Sequence, residues 1–185
     1  MSSVRRVVTG HTVDGKAAVA SDEYVPALTA ALAPGHAWNL LWGTDVPPRY
    51  PDDGAIPLAP AYFPPVGGIR FMVYTVGPMS TATMPTLDRK LAFSEFESKF
   101  PGCLAHMEPE SPGMHITASV DFEYVISGEV WLELDDGKEI LLRAGDTVVQ
   151  NGTRHAWRNR TTEPCRMAIV LVGAHHARVA ASDAG

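Results

Sequence analysis

The segment from Gly113 to Gly128 (GMHITASVDFEYVISG) brings His115, Asp121 and Glu123 into one short stretch. Sixteen residues later, the segment from Gly145 to Asn159 (GDTVVQNGTRHAWRN) adds His155 and Trp157. Imidazoles and carboxylates are donors for divalent metal ions, and they also move protons near neutral pH. Both stretches alternate as short strands do, and side chains two apart on a strand share a face. His115 and Thr117 therefore point one way. Asp121 and Glu123 share a face, and His155 and Trp157 form a third same-face pair. If Asp121 faces an interior, Glu123 faces it too.

These residues need strands to carry them. From 113 onward the pattern is continuous β, with strands expected at Tyr124–Gly128, Glu129–Leu134, Lys138–Leu142, Thr147–Gln150, Ala156–Asn159 and Arg166–Val172. Turns at Asp135–Gly137 and Ala144–Asp146 separate them. Upstream, Val4–His11 and Lys16–Ser21 flank Asp14-Gly15, which suits a hairpin with a type I′ turn. Residues 26–36 are expected to form a short helix ending before Pro34, followed by strands at Ala37–Thr44 and 68–76. Seven prolines fall in residues 45–68, so that segment is irregular, either wrapping the domain or building one wall of a pocket. Residues 86–100 read as a helix capped by Thr86 and stopped by Pro101-Gly102. Phe93, Phe96 and Phe100 share its apolar face, expected to pack outside the barrel rather than as a lid. The tail from His175 to Gly185 is expected to fray or to form a short helix.

Composition narrows the class. The 185 residues suit one domain, or one domain with an extension. Hydrophobic residues make up 45%, and the mean hydropathy is -0.02, as in an ordinary globular chain. A net charge of -6 leaves no basic excess for phosphates, so nucleic acid is excluded as a partner. Cys103 and Cys165 are expected to be buried thiols, not a disulfide. No signal peptide or membrane-spanning helix is visible, which points to the cytoplasm. No phosphate loop or nucleophile elbow is present.

The two stretches resemble the paired motifs of the cupins, small β-barrels that usually hold a metal in the barrel mouth. His115 takes the first histidine position, Thr117 stands where the second belongs, and Asp121 takes the glutamate position. The six-residue step from Asp121 to Gly128 is kept, while Pro109 replaces the opening glycine, with Gly113 close by. Gly145 and Asp146 open the second motif, His155 takes its histidine place, and Asn159 follows. Asn151 replaces its usual proline, and the step from Gly145 to His155 is one residue short. The resemblance implies an all-β, cupin-type double-sheet jelly-roll barrel over 68–173, with a helical insertion at 86–100. Residues 1–67 would be an extension (hairpin, strand and Pro-rich loop) packed on the barrel, and 174–185 a tail. It also implies a divalent ion held by His115, Asp121 and His155. That donor set suits Fe(II), and also Zn, Mn or Ni. Glu123 or water could replace the ligand lost at Thr117.

This resemblance leads to an expected enzyme acting on a small carbonyl- or enol-bearing substrate. The chemistry would be of lyase, dehydratase, isomerase, cyclase or decarboxylase type, or that of an Fe(II) dioxygenase. Glu123, or His106 from the preceding loop, would move the proton. Thr117, Trp131, Gln150 and Trp157 would line the substrate pocket. His175 and His176 could take up metal adventitiously, and His11 and His36 have no ligand spacing. The alternatives are a non-catalytic small-molecule binder and a metal-free structural barrel. A homodimer formed through the N-terminal hairpin is expected in all three cases.

Overall fold

The computed structural model describes residues 3–79 and 88–179. Among them run strands β1 (Val4–His11), β2 (Ala17–Val25), β3 (Ala37–Thr44) and β4 (Ile69–Val76), then helix α1 (Arg89–Lys99). After these come β5 (Ser119–Ser127), β6 (Glu129–Glu133), β7 (Glu139–Arg143), β8 (Thr147–Asn151), β9 (Ala156–Arg158) and β10 (Cys165–Gly173). The fold is the expected all-β double-sheet jelly roll. A five-stranded sheet in the order β3-β4-β10-β5-β8 packs on a three-stranded sheet, β7-β6-β9. Met72, Val125, Met167 and Ile169 from the first meet Val130, Leu132 and Leu142 from the second in one core. No described helix is long and apolar enough to cross a membrane.

The register of the large sheet decides what the interior contains. Asp121 pairs with Leu171 and Gln150, and Glu123 with Ile169 and Val148. On the same strands Phe122 pairs with Val170 and Val149, and Val170 with Phe71, which pairs with Trp42. β5 is therefore inverted against the usual pattern. Ser119, Asp121 and Glu123 are buried, whereas Phe122 and Tyr124 stand outward, each 49% exposed.

Several sequence expectations are corrected. Asp14 keeps a negative φ and only Gly15 turns left-handed (φ 80°). With Gly15 N–H donating to Thr12 O, the hairpin loop is a turn closed by a glycine bulge rather than type I′. Residues 26–36 form no helix, because Leu28 exchanges both backbone hydrogen bonds with Trp38 and is drawn to the sheet edge. Thr86 lies outside the described residues. The cap of α1 is Asp88, whose side chain accepts from Leu91 N–H at 3.2 Å. Phe96 and Phe100 are buried, but Phe93 is 43% exposed. The sequence division at 67/68 sets β3 apart from the barrel, yet β3 is an edge strand of the five-stranded sheet.

The hairpin β1–β2 stays outside both sheets and is anchored to β3 and the Pro-rich segment, with Asn39 Nδ2 donating to Val25 O at 3.0 Å. Arg6 donates to Leu41 O at 2.6 Å, and His11 N–H donates to Asp52 O at 2.6 Å. Gly10 permits the last of these contacts, since a Cβ there would meet Asp53 O at 2.2 Å.

Arg70 holds the Pro-rich segment to the barrel. Its buried guanidinium donates to Ala61 O (3.0 and 2.9 Å), Thr44 O (3.0 Å) and Ile69 O (3.0 Å), and pairs with Asp45 at 2.6 Å. Removing one partner of a buried pair strands the other. Arg70→Met is expected to lower unfolding free energy by about 3 kcal/mol, with Arg70→Lys losing less. Urea denaturation followed by tryptophan fluorescence checks this; an unchanged midpoint would refute the assignment.

Candidate metal centre

Three donors converge on the inner face of β5 and the start of β9. One ligand atom each from Asp121, Glu123 and His155 lies within 4.8 Å of the others, and all three residues are buried. Asp121 Oδ1 accepts the Ser119 hydroxyl at 2.6 Å, and that hydroxyl lies 3.0 Å from Thr117 Oγ1. Glu123 Oε2 is buried and has no hydrogen-bond partner. An unpartnered buried carboxylate oxygen is costly, and a cation satisfies it.

The two histidines are locked side by side through the backbone. His115 N–H donates to His155 O, and His155 N–H to His115 O, each at 3.0 Å. Their rings stand 4.2 Å apart. His115 Nδ1 faces Gly113 O at 3.0 Å, and His155 Nδ1 faces Thr153 O at 2.9 Å. A carbonyl only accepts, so Nδ1 carries the proton in each ring and Nε2 keeps the lone pair. Carbonyl-oriented imidazoles of this kind are usual around metal ions.

Burial sets the proton occupancy. It raises the Asp121 carboxyl to about 7, opposed by the Ser119 hydrogen bond. Burial, then the nearby Asp121, raise Glu123 well above the ordinary carboxylate range. Burial, then the neighbouring His115, lower His155 to about 3. Burial lowers His115 as well. Neutral imidazoles are ready donors, and a divalent ion would displace the carboxyl protons. The donor set therefore fits a divalent cation.

A cavity of about 760 Å³ opens over these groups. His115, Asp121, Glu123, His155 and Trp157 line it. Other expected site residues are placed elsewhere. Thr117 is buried behind Ser119. Gln150 Nε2 donates to Thr153 O at 3.1 Å, so it steadies the carbonyl that orients His155. Trp131 lies under the Arg160 guanidinium, 5.9 Å away, on the far face of β6, whose Val130 and Leu132 are the buried residues. His106 stands behind the wall, edge-on to Phe63 at 4.6 Å, with Nδ1 donating to Ile116 O at 3.1 Å. His176 faces Gly152 O at 3.1 Å.

Sequence reasoning missed most of the wall. Trp38, Tyr62, Phe63, Tyr74, Phe93 and Phe96 line the cavity. Tyr62 and Phe63 show that the Pro-rich segment builds one side of it. α1 also faces the cavity rather than the barrel's outside. An aromatic pair among prolines at 62–63 was the available signal.

The pH dependence of metal-free stability follows from these shifts. His155 is depressed from 6.5 and His36 falls to about 4 by burial, so their contribution to stability grows as pH rises and is complete above 6.5. Asp121 and Glu123 are raised, so theirs is present at low pH and is lost as pH rises through their folded values. Above pH 6.5 the two raised carboxyls act first. The buried Cys103 and Cys165 thiols, raised from 9.0, add to the fall as pH approaches that value. The melting temperature of metal-free protein is expected to fall from there toward pH ~9, and less in Glu123→Gln. A flat or rising wild-type profile in differential scanning calorimetry would contradict the buried-acid account.

The family comparison agrees with the fold. Residues 103–172 match the family model described as Cupin domain. The chain is 47% identical over 62 residues to Phomopsin biosynthesis cluster protein C' of Diaporthe leptostromiformis, a match covering 33% of each protein. It is 44% identical over 66 residues to the cupin-domain-containing oxidoreductase fogC of Aspergillus ruber, covering 34% of this chain and 32% of that one. The matched segment thus spans about a third of these relatives. Among solved structures, a putative ethanolamine utilization protein Q from Salmonella typhimurium aligns over 95% of this chain and 100% of its own, with TM-score 0.43 and 11% identity. Residues 103–172 thus carry the likeness to the cupin domain, and two histidines and a carboxylate lie at its motif positions.

Proposed function

We propose that this protein is a metal-dependent enzyme acting on a small carbonyl- or enol-bearing molecule. The observation that supports it best is the buried donor group of Asp121, Glu123 and His155, with Glu123 Oε2 unpartnered. These three residues would hold the ion. Glu123 thereby takes the ligand place left vacant at Thr117, and His115 changes from expected ligand to proton carrier. A divalent ion supplies Lewis-acid polarisation of a substrate oxygen, and redox capacity if it is iron. His115 Nε2, free and unprotonated at neutral pH, takes a proton from the substrate carbon or hydroxyl. His115 also lines the cavity, whereas His106 does not. The aromatic wall excludes water around that transfer. The names of relatives, an oxidoreductase and a biosynthesis cluster protein, support small-molecule metabolism and an oxidative reaction over a lyase. Two free, buried thiols fit a reducing, cytoplasmic compartment.

Metal analysis of untagged protein tests this. Wild type is expected to carry about one equivalent of Fe, Mn, Ni or Zn, and His155→Ala and Glu123→Gln to lose affinity at least about tenfold. His115→Ala should retain the ion. An ion-free wild type after anaerobic reconstitution would leave a ligand-binding barrel without catalysis. Loss of the ion in His115→Ala alone would return His115 to the ligand set.

We also propose a homodimer, supported by the outward row Trp42, Phe71, Val170, Phe122 and Val149 across all five strands of the large sheet. Phe71, Phe122 and Val149 are 38%, 49% and 56% exposed. A second copy would cover them better than through the hairpin alone. Light scattering should give a dimer for wild type and a monomer for Phe122→Glu; a wild-type monomer at all concentrations would refute it.

A further inference from the structure

We infer that the ligand of this cavity is an uncharged, flat aromatic molecule. The inference rests on the cavity being the substrate site of the proposed function.

The first argument is charge. Among the described lining residues, the cationic side chains are Arg89 and Arg158. Arg158 is committed to Glu133 (2.5 Å) and Pro112 O (2.6 Å), and Arg89 is exposed. Glu108, also lining, is paired twice with Arg154 at 2.6 Å. The lining histidines have their Nδ1 atoms engaged: His36 with the Tyr74 hydroxyl at 2.7 Å, and His115 and His155 with backbone carbonyls. The floor presents the carboxyl oxygens of Asp121 and Glu123, which do not attract an anion. Apart from the metal position, the described lining therefore leaves no buried cationic side chain free to receive a carboxylate or phosphate, and burying an unpaired anion is costly.

The second argument is shape and surface. Five elements contribute rings to one cavity: Trp38 from β3, Tyr62 and Phe63 from the Pro-rich segment, Tyr74 from β4, Phe93 from α1 and Trp157 from β9. Trp38 and Tyr74 lie near-parallel, 5.1 Å apart with an 18° interplanar angle. The polar ends of this wall are used internally, Tyr74 on His36 and Tyr62 on Met72 Sδ at 3.4 Å. What the wall offers a ligand is ring faces and edges, which prefer another π-system to a saturated skeleton. The volume of about 760 Å³ admits a ligand of ordinary small-molecule size.

Isothermal titration calorimetry with three probes of one skeleton separates the terms: 2-naphthol, 2-naphthoate and decahydro-2-naphthol. Each is titrated into metal-free and Mn(II)-supplemented protein at neutral pH. 2-Naphthol is expected to bind at least about tenfold tighter than 2-naphthoate, and about three- to tenfold tighter than its saturated analogue. Phe93→Ala, on the half-exposed side of α1, and Trp157→Leu should each weaken 2-naphthol about three- to tenfold while retaining a wild-type melting profile. Equal or tighter naphthoate binding would overturn the charge argument, and equal decahydronaphthol binding the aromatic one. Binding untouched by both variants would place the probe outside this cavity and overturn the inference. Failure of the enzyme reading shows separately, as naphthol binding in a protein that takes up no metal.

Discussion

Two carboxyl groups on a dry floor govern this molecule. Asp121 and Glu123 are adjacent on one face of β5, 2% and 5% exposed, and between them the Ser119 hydroxyl reaches only Asp121. Burying such a pair is unfavourable, and the protein has two ways to relieve it. Either the carboxyls keep their protons, or a cation replaces those protons. Period-two alternation does the rest: with Asp121 and Glu123 inside, Phe122 and Tyr124 must be outside. The apolar outer row and the acidic inner floor are thus one structural decision. A one-residue slip of β5 would relieve both costs and abolish the site, so the neighbouring pairings with β10 and β8 must outweigh that gain.

The histidines obey a second constraint, imposed by the backbone. Neither ring depends on another side chain for its tautomer, because each Nδ1 faces a carbonyl two residues before it. The reciprocal bridge between residues 115 and 155 fixes the loops that carry them. Arg154 reinforces the same join, pairing with Glu108 upstream of the first histidine and with Asp135 at 3.0 Å. An imidazole with its Nδ1 proton held in place loses little freedom on taking up an ion through Nε2.

Local patterning made the strands legible, because period two and turn glycines are properties of neighbours in sequence. Every strand expected from 113 onward is present, and so are β3 and β4. The same-face relation of Asp121 and Glu123 was equally legible, but which face was inside was not. Ordinary hydrophobic patterning would bury Val120, Phe122, Tyr124 and Ile126. Thr117 was misplaced because the chain before Ser119 is a loop joined only by isolated bridges from His115 to Met107 and His155, so alternation does not carry through it. Trp131 was misplaced because its strand turns Val130 and Leu132 inward instead. The cavity wall was the least legible part. Trp38, Tyr62, Tyr74 and Phe96 meet only through tertiary packing, and no spacing within one segment signals it.

An apolar cavity of this size tends to collapse, since its lining atoms lack partners on one side. Polar pegs hold the walls apart. Arg70 fixes the Pro-rich wall by the carbonyl oxygens of Thr44, Ala61 and Ile69 and by Asp45. α1 is pegged at its far end, where Glu95 accepts from Ala31 N–H at 2.9 Å and Lys99 donates to Thr29 O at 2.6 Å. Phe96 and Phe100 then pack on Trp38 at 6.2 and 4.6 Å, so the helix leans on the five-stranded sheet without filling the space. Hydrogen bonds are directional and hydrophobic contact is not, which is why pegs of this kind can keep rings facing an open volume. The same geometry that leaves room for a ligand leaves Glu123 without a protein partner, so the open cavity and the cation-seeking floor have a common cause.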